Sequence, residues 1–194
     1  MFLMKNEIQK YIKKSIKTKE EILSSDNILK AVESAVKIIV EAYRNEKKVL
    51  FAGNGGSAAD AQHLAAELVS KFNLDRPALN AIALTTNTSI LTAVGNDYSH
   101  EYVFPRQIQA YGSNGDIFVA ISTSGNSKNI IKSIEEAKNR GLRVIGLTGK
   151  NPCLMDSLVD CIIKVPSVET PIIQEAHIML GHIICALVEE KLFK

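Results

Sequence analysis

The sequence predicts an α/β fold: a three-layer α/β/α sandwich around a five-stranded parallel sheet, preceded by two helices. Three observations predict it. From residue 47 onward, short β-branched runs alternate with helical stretches. Two long amphipathic patterns come before the first of those runs. Hydrophobic residues make up 46% and charged residues 23% of the 194, the balance of a soluble globular chain with enough apolar side chain to fill a core. Residues 1–194 are expected to form a single domain that includes both leading helices.

The elements follow in order. The first helix is expected over residues 5–23, with Ile8, Tyr11, Ile12 and Ile16 on one face. The second starts near Asp26, read as its N-cap, and carries the stripe Leu29, Val32, Val36, Ile39, Val40 and Tyr43. Neither helix buries its face alone and both precede the sheet. Packing against another subunit and packing on the chain's own sheet both satisfy the pattern. Strands are expected at 49–52, 81–84, 117–121, 144–147 and 162–165, with helices near 58–71, 88–94, 101–111 and 128–140 between them. Gly141 is a stop signal for the last of these. A final helix over 171–191 opens at Pro171, a residue suited to a first turn. Strands separated by helices imply parallel pairing through right-handed crossovers.

Composition excludes several functional classes. A formal net charge of +2 argues against nucleic acid as a partner, which calls for a concentrated basic patch. The lysines at the start (Lys10, Lys13, Lys14, Lys17, Lys19) are interleaved with Ile and Glu and read as a solvated helix face. The apolar run over residues 1–4 is too short for a signal peptide. No run of about 18 apolar residues suggests a membrane span, so a cytoplasmic location is expected. Cys153, Cys161 and Cys185 are odd in number, lack metal-type spacing and read as small buried hydrophobes.

In such folds ligands bind where strands end and helices begin. Three stretches there are chemically unusual. Gly53-Asn54-Gly55-Gly56-Ser57 follows the first strand and opens a helix, so close backbone approach and free N–H groups suit an anion. It lacks both the Gly-x-Gly-x-x-Gly fingerprint and the Walker A lysine, which favours a small phosphate ester over a dinucleotide or NTP. Ser122-Thr123-Ser124-Gly125-Asn126-Ser127 follows the third strand with four hydroxyls in six residues, more than a capped turn requires. Gly95-Asn96-Asp97 suits sugar hydroxyls and a simple turn equally well. Two such loops on one parallel sheet suggest a phosphorylated polyol.

An acid and a base are then needed. His63 and Glu67, four apart, share a helix face. Gln174 and His182 lie eight apart on the last helix, and the four together form a possible site for Zn²⁺ or a neighbouring divalent metal. His177, three residues from Gln174, competes with His182 for that face, and spacing alone does not choose between them.

At these residues the chain resembles the sugar isomerase (SIS) domain family. The resemblance rests on residues 52–63 and 122–127, and on Gln174-Glu175-x-His177 followed by His182. It covers nearly the full length, and within the family it is with the phosphoheptose isomerases. It implies the SIS fold and a homotetramer with active sites between subunits. It also implies conversion of D-sedoheptulose 7-phosphate to D-glycero-D-manno-heptose 7-phosphate, for the heptose of lipopolysaccharide core or related surface glycans. Substrate contacts implied by matching positions are Asn54, Gly55, Gly56, Ser57, Asn96, Asp97, Ser122, Thr123, Ser124, Ser127 and Gln174. The implied zinc ligands are His63, Glu67, Gln174 and His182, which selects His182 over His177. Ketose–aldose exchange moves one proton between C1 and C2 and another between the two oxygens, by way of a cis-enediol. Glu67, which then also touches the substrate, is expected to be the base on carbon and His182 the acid on oxygen. Relatives of this fold that act as scaffolds for the replication initiator DnaA, or as other phosphosugar isomerases, are the rival readings. A scaffold has no need to keep His63, Glu67, Gln174 and His182 together. Arabinose 5-phosphate isomerases usually add C-terminal regulatory domains after the final helix, where this sequence reaches Lys194.

Overall fold

The structure, a computed structural model, describes residues 2–194. Five parallel strands form one sheet: β1 (Val49–Gly53), β2 (Ala81–Ala83), β3 (Ile117–Ile121), β4 (Arg143–Thr148) and β5 (Cys161–Lys164), in the order β2-β1-β3-β4-β5. Successive strand residues face opposite sides, so each strand feeds two cores. Val49, Phe51, Val119 and Ile145 join the apolar cluster under α2 (Asp26–Arg44), α3 (Gly56–Val69) and α7 (Thr170–Phe193). Leu50, Phe118, Ala120 and Val144 pack on the other side, with Ile108 of α5 (Pro105–Tyr111) and Ile130 and Ile134 of α6 (Lys128–Asn139). This is the expected three-layer α/β/α sandwich. Burial of both faces explains why the strands read as apolar runs rather than alternating ones.

Boundaries differ from expectation at places where local chemistry decides. The second helix is capped by Ser25, whose side chain accepts from the Ile28 amide, and Asp26 is the first helical residue. The stretch expected as one helix over 101–111 divides into a 3-10 turn (His100–Tyr102) and α5, because Pro105 restarts the helix at its first turn. Gly95, Asn96 and Asp97 are the last residues of α4 (Thr88–Asp97), not a loop after it. Cys161 and Cys185 are buried as expected. Cys153 is not: it is half-buried, and its thiol donates to Asp156 Oδ1 at 3.4 Å.

α1 (Phe2–Leu23) lies outside the sandwich. Ion pairs Lys14–Glu169 and Lys19–Glu175 tie it to the start of α7. Its apolar face does not pack on the sheet: Ile8, Tyr11, Ile12 and Ile16 are each about half exposed or more, at 53%, 62%, 54% and 49%. A second apolar surface is a groove of about 720 Å³ between α2 and α7, floored by Leu29, Val36, Val40, Ile183 and Leu187.

α7 is long and apolar enough, by length and composition, to cross a membrane, although it holds no unbroken apolar run. Half of that stretch is buried in the fold, against α2 and α3.

Candidate active site

The order β2-β1-β3 makes β1 and β3 the point where the chain reverses direction across the sheet. From β1 the chain leaves to one edge, then returns to β3 on the other side. Ligands settle in the crevice at such switch points. The two loops singled out in the sequence follow β1 and β3, and Gly53 pairs with Ile121 at their mouths.

In the second loop three hydroxyls converge. Ser122 Oγ is 3.4 Å from Ser124 Oγ and 3.1 Å from Ser127 Oγ, and Ser122 is buried. Ser127 holds the N-cap position of α6, yet its hydroxyl makes no cap hydrogen bond. It is turned toward Ser122, so hydroxyls and the helix N-terminus face the same space, as an anion requires. Thr123 is half-buried beside them and its carbonyl accepts from the Gly149 amide. The loop is braced from behind: Asn126 Oδ1 accepts from the Leu154 amide at 2.8 Å, and the Gly125 carbonyl accepts from the Met155 amide.

In the first loop, Gly55 and Gly56 are exposed and Ser57 is buried. Asn54 forms a reciprocal amide pair with Asn129, each Nδ2 donating to the other's Oδ1 at 2.9 Å. The amide of Gln174 lies over Gly56, where a Cβ would stand 2.6 Å from its Nε2. Gly56 is therefore the residue that lets α7 close over the start of α3. Asn96 and Asp97 are exposed at the end of α4, with Asn96 Nδ2 donating to Asp97 Oδ1 at 2.8 Å.

The acid–base candidates meet on the seam between α3 and α7, which run side by side. A Cβ on Gly181 would stand 2.5 Å from Leu64 Cδ2, so glycine there permits the close approach of the two helices. One residue on either side, His63 Nε2 and His182 Nε2 face each other at 2.8 Å. Glu67 Oε1 is 3.2 Å from His63 Nε2. The three donor atoms lie within 4.8 Å of one another. His177 goes elsewhere: it is fully buried, Nε2 contacts the Thr148 carbonyl at 3.2 Å, and burial pushes its pKa down to about 4. Gln174 is not brought to the His63–Glu67–His182 group within the chain. It sits eight residues before His182, about 12 Å along the helix axis.

The end of α3 is fixed by a buried ion pair. Glu189 accepts from the amides of Phe72, Asn73 and Leu74 and from Arg76 Nε, at 2.6–3.1 Å. Arg76 in turn donates to the carbonyls of Glu67 and Leu68. The ring of Phe72 lies 5.7 Å from that of His182.

Sequence reasoning gave no role to Asp60, His100 or Asn129. Asp60 lies one turn before His63. Burial pushes its carboxyl up to about 6, against the opposing charge of His63, and its Oδ2 has no hydrogen-bond partner among the described residues. Asn129 follows the serine loop by two residues, and its amide also meets His100 Nε2 at 3.3 Å. The signal for Asp60 was present, a carboxylate one turn from a histidine on one helix. For His100 the signal is tertiary, since it is far from both loops in sequence.

Comparison with known proteins agrees with this geometry. The SIS domain family matches residues 10–149. A phosphoheptose isomerase of Aneurinibacillus thermoaerophilus is 56% identical over 191 residues, 98% of this chain and 96% of that one. A phosphoheptose isomerase 2 of Campylobacter jejuni is 57% identical over 92% of this chain and 89% of its own length. The solved structure of phosphoheptose isomerase GmhA from Neisseria gonorrhoeae superposes with a TM-score of 0.91 at 38% identity, covering 96% of this chain and 99% of that one. The serine cradle at the switch point and the His–Glu–His group on the α3–α7 seam thus stand in a chain that belongs to the SIS domain family and, within it, to the phosphoheptose isomerases.

Proposed function

We propose that this chain interconverts D-sedoheptulose 7-phosphate and D-glycero-D-manno-heptose 7-phosphate, a step toward the heptose of surface glycans. The observation that carries the reading is the His63–Glu67–His182 group in a chain that also holds a three-hydroxyl phosphate cradle. A scaffold protein has no need to keep His63, Glu67, Gln174 and His182 together.

The phosphate is assigned to Ser122, Thr123, Ser124 and Ser127 and to the amides that open α3 and α6. Neutral donors suit a dianion that must also leave, since they hold it without a buried cation. Asn54, Gly55, Gly56, Ser57, Asn96, Asp97 and Gln174 are assigned to the sugar chain. Glu67 is the base that takes the proton from one carbon and returns it to the neighbour. His182 is the acid that serves the oxygens, with His63 holding it in place. The donor set of two imidazole nitrogens and a carboxylate oxygen fits Zn²⁺, and two imidazole nitrogens aimed at one another suit a shared cation. We assign His63, Glu67 and His182 to that ion; a fourth ligand at Gln174, implied by family resemblance, would have to come from a second copy of the chain, since Gln174 lies about 12 Å along α7 from His182. When bound, zinc supplies Lewis-acid polarisation of the carbonyl. A carboxylate that also ligates a metal is a weaker base, so the two roles of Glu67 compete.

We place the enzyme in the cytoplasm as a homotetramer with active sites between subunits. The exposed stripe on α1 and the groove between α2 and α7 support assembly, because apolar patches of that extent mark interfaces.

Turnover of sedoheptulose 7-phosphate, followed by NMR of the aldose product, tests the reading. Glu67→Gln and His182→Gln should each lose at least about a hundredfold in kcat, the range of general acid–base catalysis. Near-normal rates in both would overturn the assignment, and no aldose product from the unaltered chain, with zinc or with chelator, would favour the scaffold.

A further inference from the structure

We infer that His100 is a positioning residue that sets the polarity of the amide pair joining the two loops of the cleft; the inference rests on the function proposed above. The pair Asn54–Asn129 spans from the glycine loop after β1 to the first turn of α6, two residues past Ser127 of the serine cradle. It is the side-chain link that holds the two loops at one separation. A reciprocal amide pair keeps both of its bonds when both amides turn over together, because each primary amide offers a donor edge and an acceptor edge. The pair alone therefore leaves open which edge of Asn54 carries N–H and which carries oxygen.

His100 removes that degeneracy. Its Nε2 stands 3.3 Å from Asn129 Nδ2. With the lone pair of Nε2 facing Asn129, the second N–H of that amide has an acceptor. Both hydrogens of Asn129 Nδ2 are then engaged, one on Asn54 Oδ1 and one on His100. Turning the pair over would set Asn129 Oδ1 against the Nε2 lone pair. That arrangement is repulsive unless the imidazole proton moves to Nε2 at the same time, so His100 ties the polarity of the pair to its own tautomer. Asn129 is buried, with only 4% of its surface exposed, so a wrong polarity is poorly compensated on its side of the contact, while His100 is exposed.

His100 is itself held in place. Glu101 beside it is gripped by Lys128 and Lys132 of α6, and the Tyr102 ring lies 4.1 Å from Lys132 Nζ. Ser99 Oγ accepts from the Glu101 amide and closes the turn. The segment that carries His100 is thus pinned to the same helix that carries Asn129 and Ser127. The consequence is for substrate affinity rather than for the proton transfers, since neither Glu67 nor His182 contacts this network.

The test compares His100→Leu, which removes the acceptor, with His100→Gln, whose Oε1 restores one. In His100→Leu the KM for sedoheptulose 7-phosphate should rise about three- to tenfold, the worth of one neutral hydrogen bond, with kcat within twofold. His100→Gln should stay within twofold in both. Two further readouts do not depend on turnover: the side-chain amide resonances of Asn54 and Asn129, and the affinity for inorganic phosphate. In His100→Leu both amides should show doubled or broadened signals, and phosphate should bind about three- to tenfold more weakly, while His100→Gln behaves as the unaltered chain. If the two variants behave alike, or if His100→Leu keeps single sharp amide signals and unchanged phosphate affinity, the inference is overturned. An unaltered chain that turns over no sedoheptulose 7-phosphate defeats the proposed function instead, and the amide and phosphate readouts still decide the role of His100.

Discussion

Replacing Glu189 by Gln should loosen the end of α3 and cost about 3–4 kcal/mol of stability. The carboxylate is 1% exposed and takes four hydrogen bonds, from the amides of residues 72, 73 and 74 and from Arg76 Nε. Glutamine has the same shape but one acceptor oxygen. It satisfies two of the four donors at best and turns its own N–H₂ toward the others. Removing one partner of a buried ion pair costs about 3–5 kcal/mol. The segment over 70–76 is partly exposed, so water recovers some of the loss, which places the figure at the lower end. Against a total stability of about 5–15 kcal/mol, the variant still folds. Urea unfolding at pH 7 reads the difference. A second measurement checks the cause. Burial alone would raise the Glu189 pKa, but the backbone amides and Arg76 outweigh it and hold the carboxyl below the usual carboxylate range. A depressed folded pKa gives stability that is complete above the unfolded value of about 4.3 and is lost as pH falls through the folded value. The gap between the two proteins should therefore narrow below about pH 4. A gap under 1 kcal/mol at pH 7, or one that stays constant into acid, would refute the reasoning.

Three other perturbations have defined outcomes. Gly181→Ala puts a methyl group against Leu64, at 2.5 Å from Cδ2, and should cost about 1–3 kcal/mol in urea unfolding. It should also weaken zinc binding, read by competition with a chromogenic chelator, because it parts His63 from His182. His177 has its pKa pushed down from 6.5 to about 4, chiefly by burial, so the unfolded chain binds the extra proton between those values. Stability should fall by about 2 kcal/mol from pH 7 to pH 5, and that part of the slope should vanish in His177→Leu. Ile12→Asp on the exposed stripe of α1 should lower the assembly state in sedimentation velocity while leaving the helical circular dichroism unchanged.

The sheet was legible because its strands are buried on both faces and so read as short apolar runs. Phe51 and Leu50 point to opposite cores, yet both must be hydrophobic. Helix ends were less legible. Ser25 and Asp26 are both good capping residues, and only backbone geometry shows which one takes the cap. Pro105 gave a local signal for the break before α5, but the helical pattern around it is continuous enough to hide it. α7 was legible as a helix and illegible as a surface. Its composition passes for a membrane span, and what distinguishes it is the cover supplied by α2 and α3.

The site divides along the same line. Residues that share one loop, such as Gly55 with Gly56 or Ser122 with Ser127, are close in sequence and declare themselves by unusual local composition. Those that act across elements do not. His63 and Glu67 share a face by their spacing of four. Nothing in spacing, however, says that His182 rather than His177 will meet them. The deciding residue is Gly181, whose missing side chain sets the approach of α7 to Leu64 and so determines which neighbouring histidine faces α3. His177, five residues earlier, lies on the flank of α7 that looks at β4, and there burial holds it neutral. One helix thus carries two histidines with opposite fates. The half-buried one meets His63 and Glu67, the group to which proton transfer and a metal are assigned in the proposal, and the dry one is restricted to packing and a single hydrogen bond to a strand end. A sequence pattern records the type of residue at each position, but the chemistry of an imidazole depends on its solvent, which the packing of the helix decides.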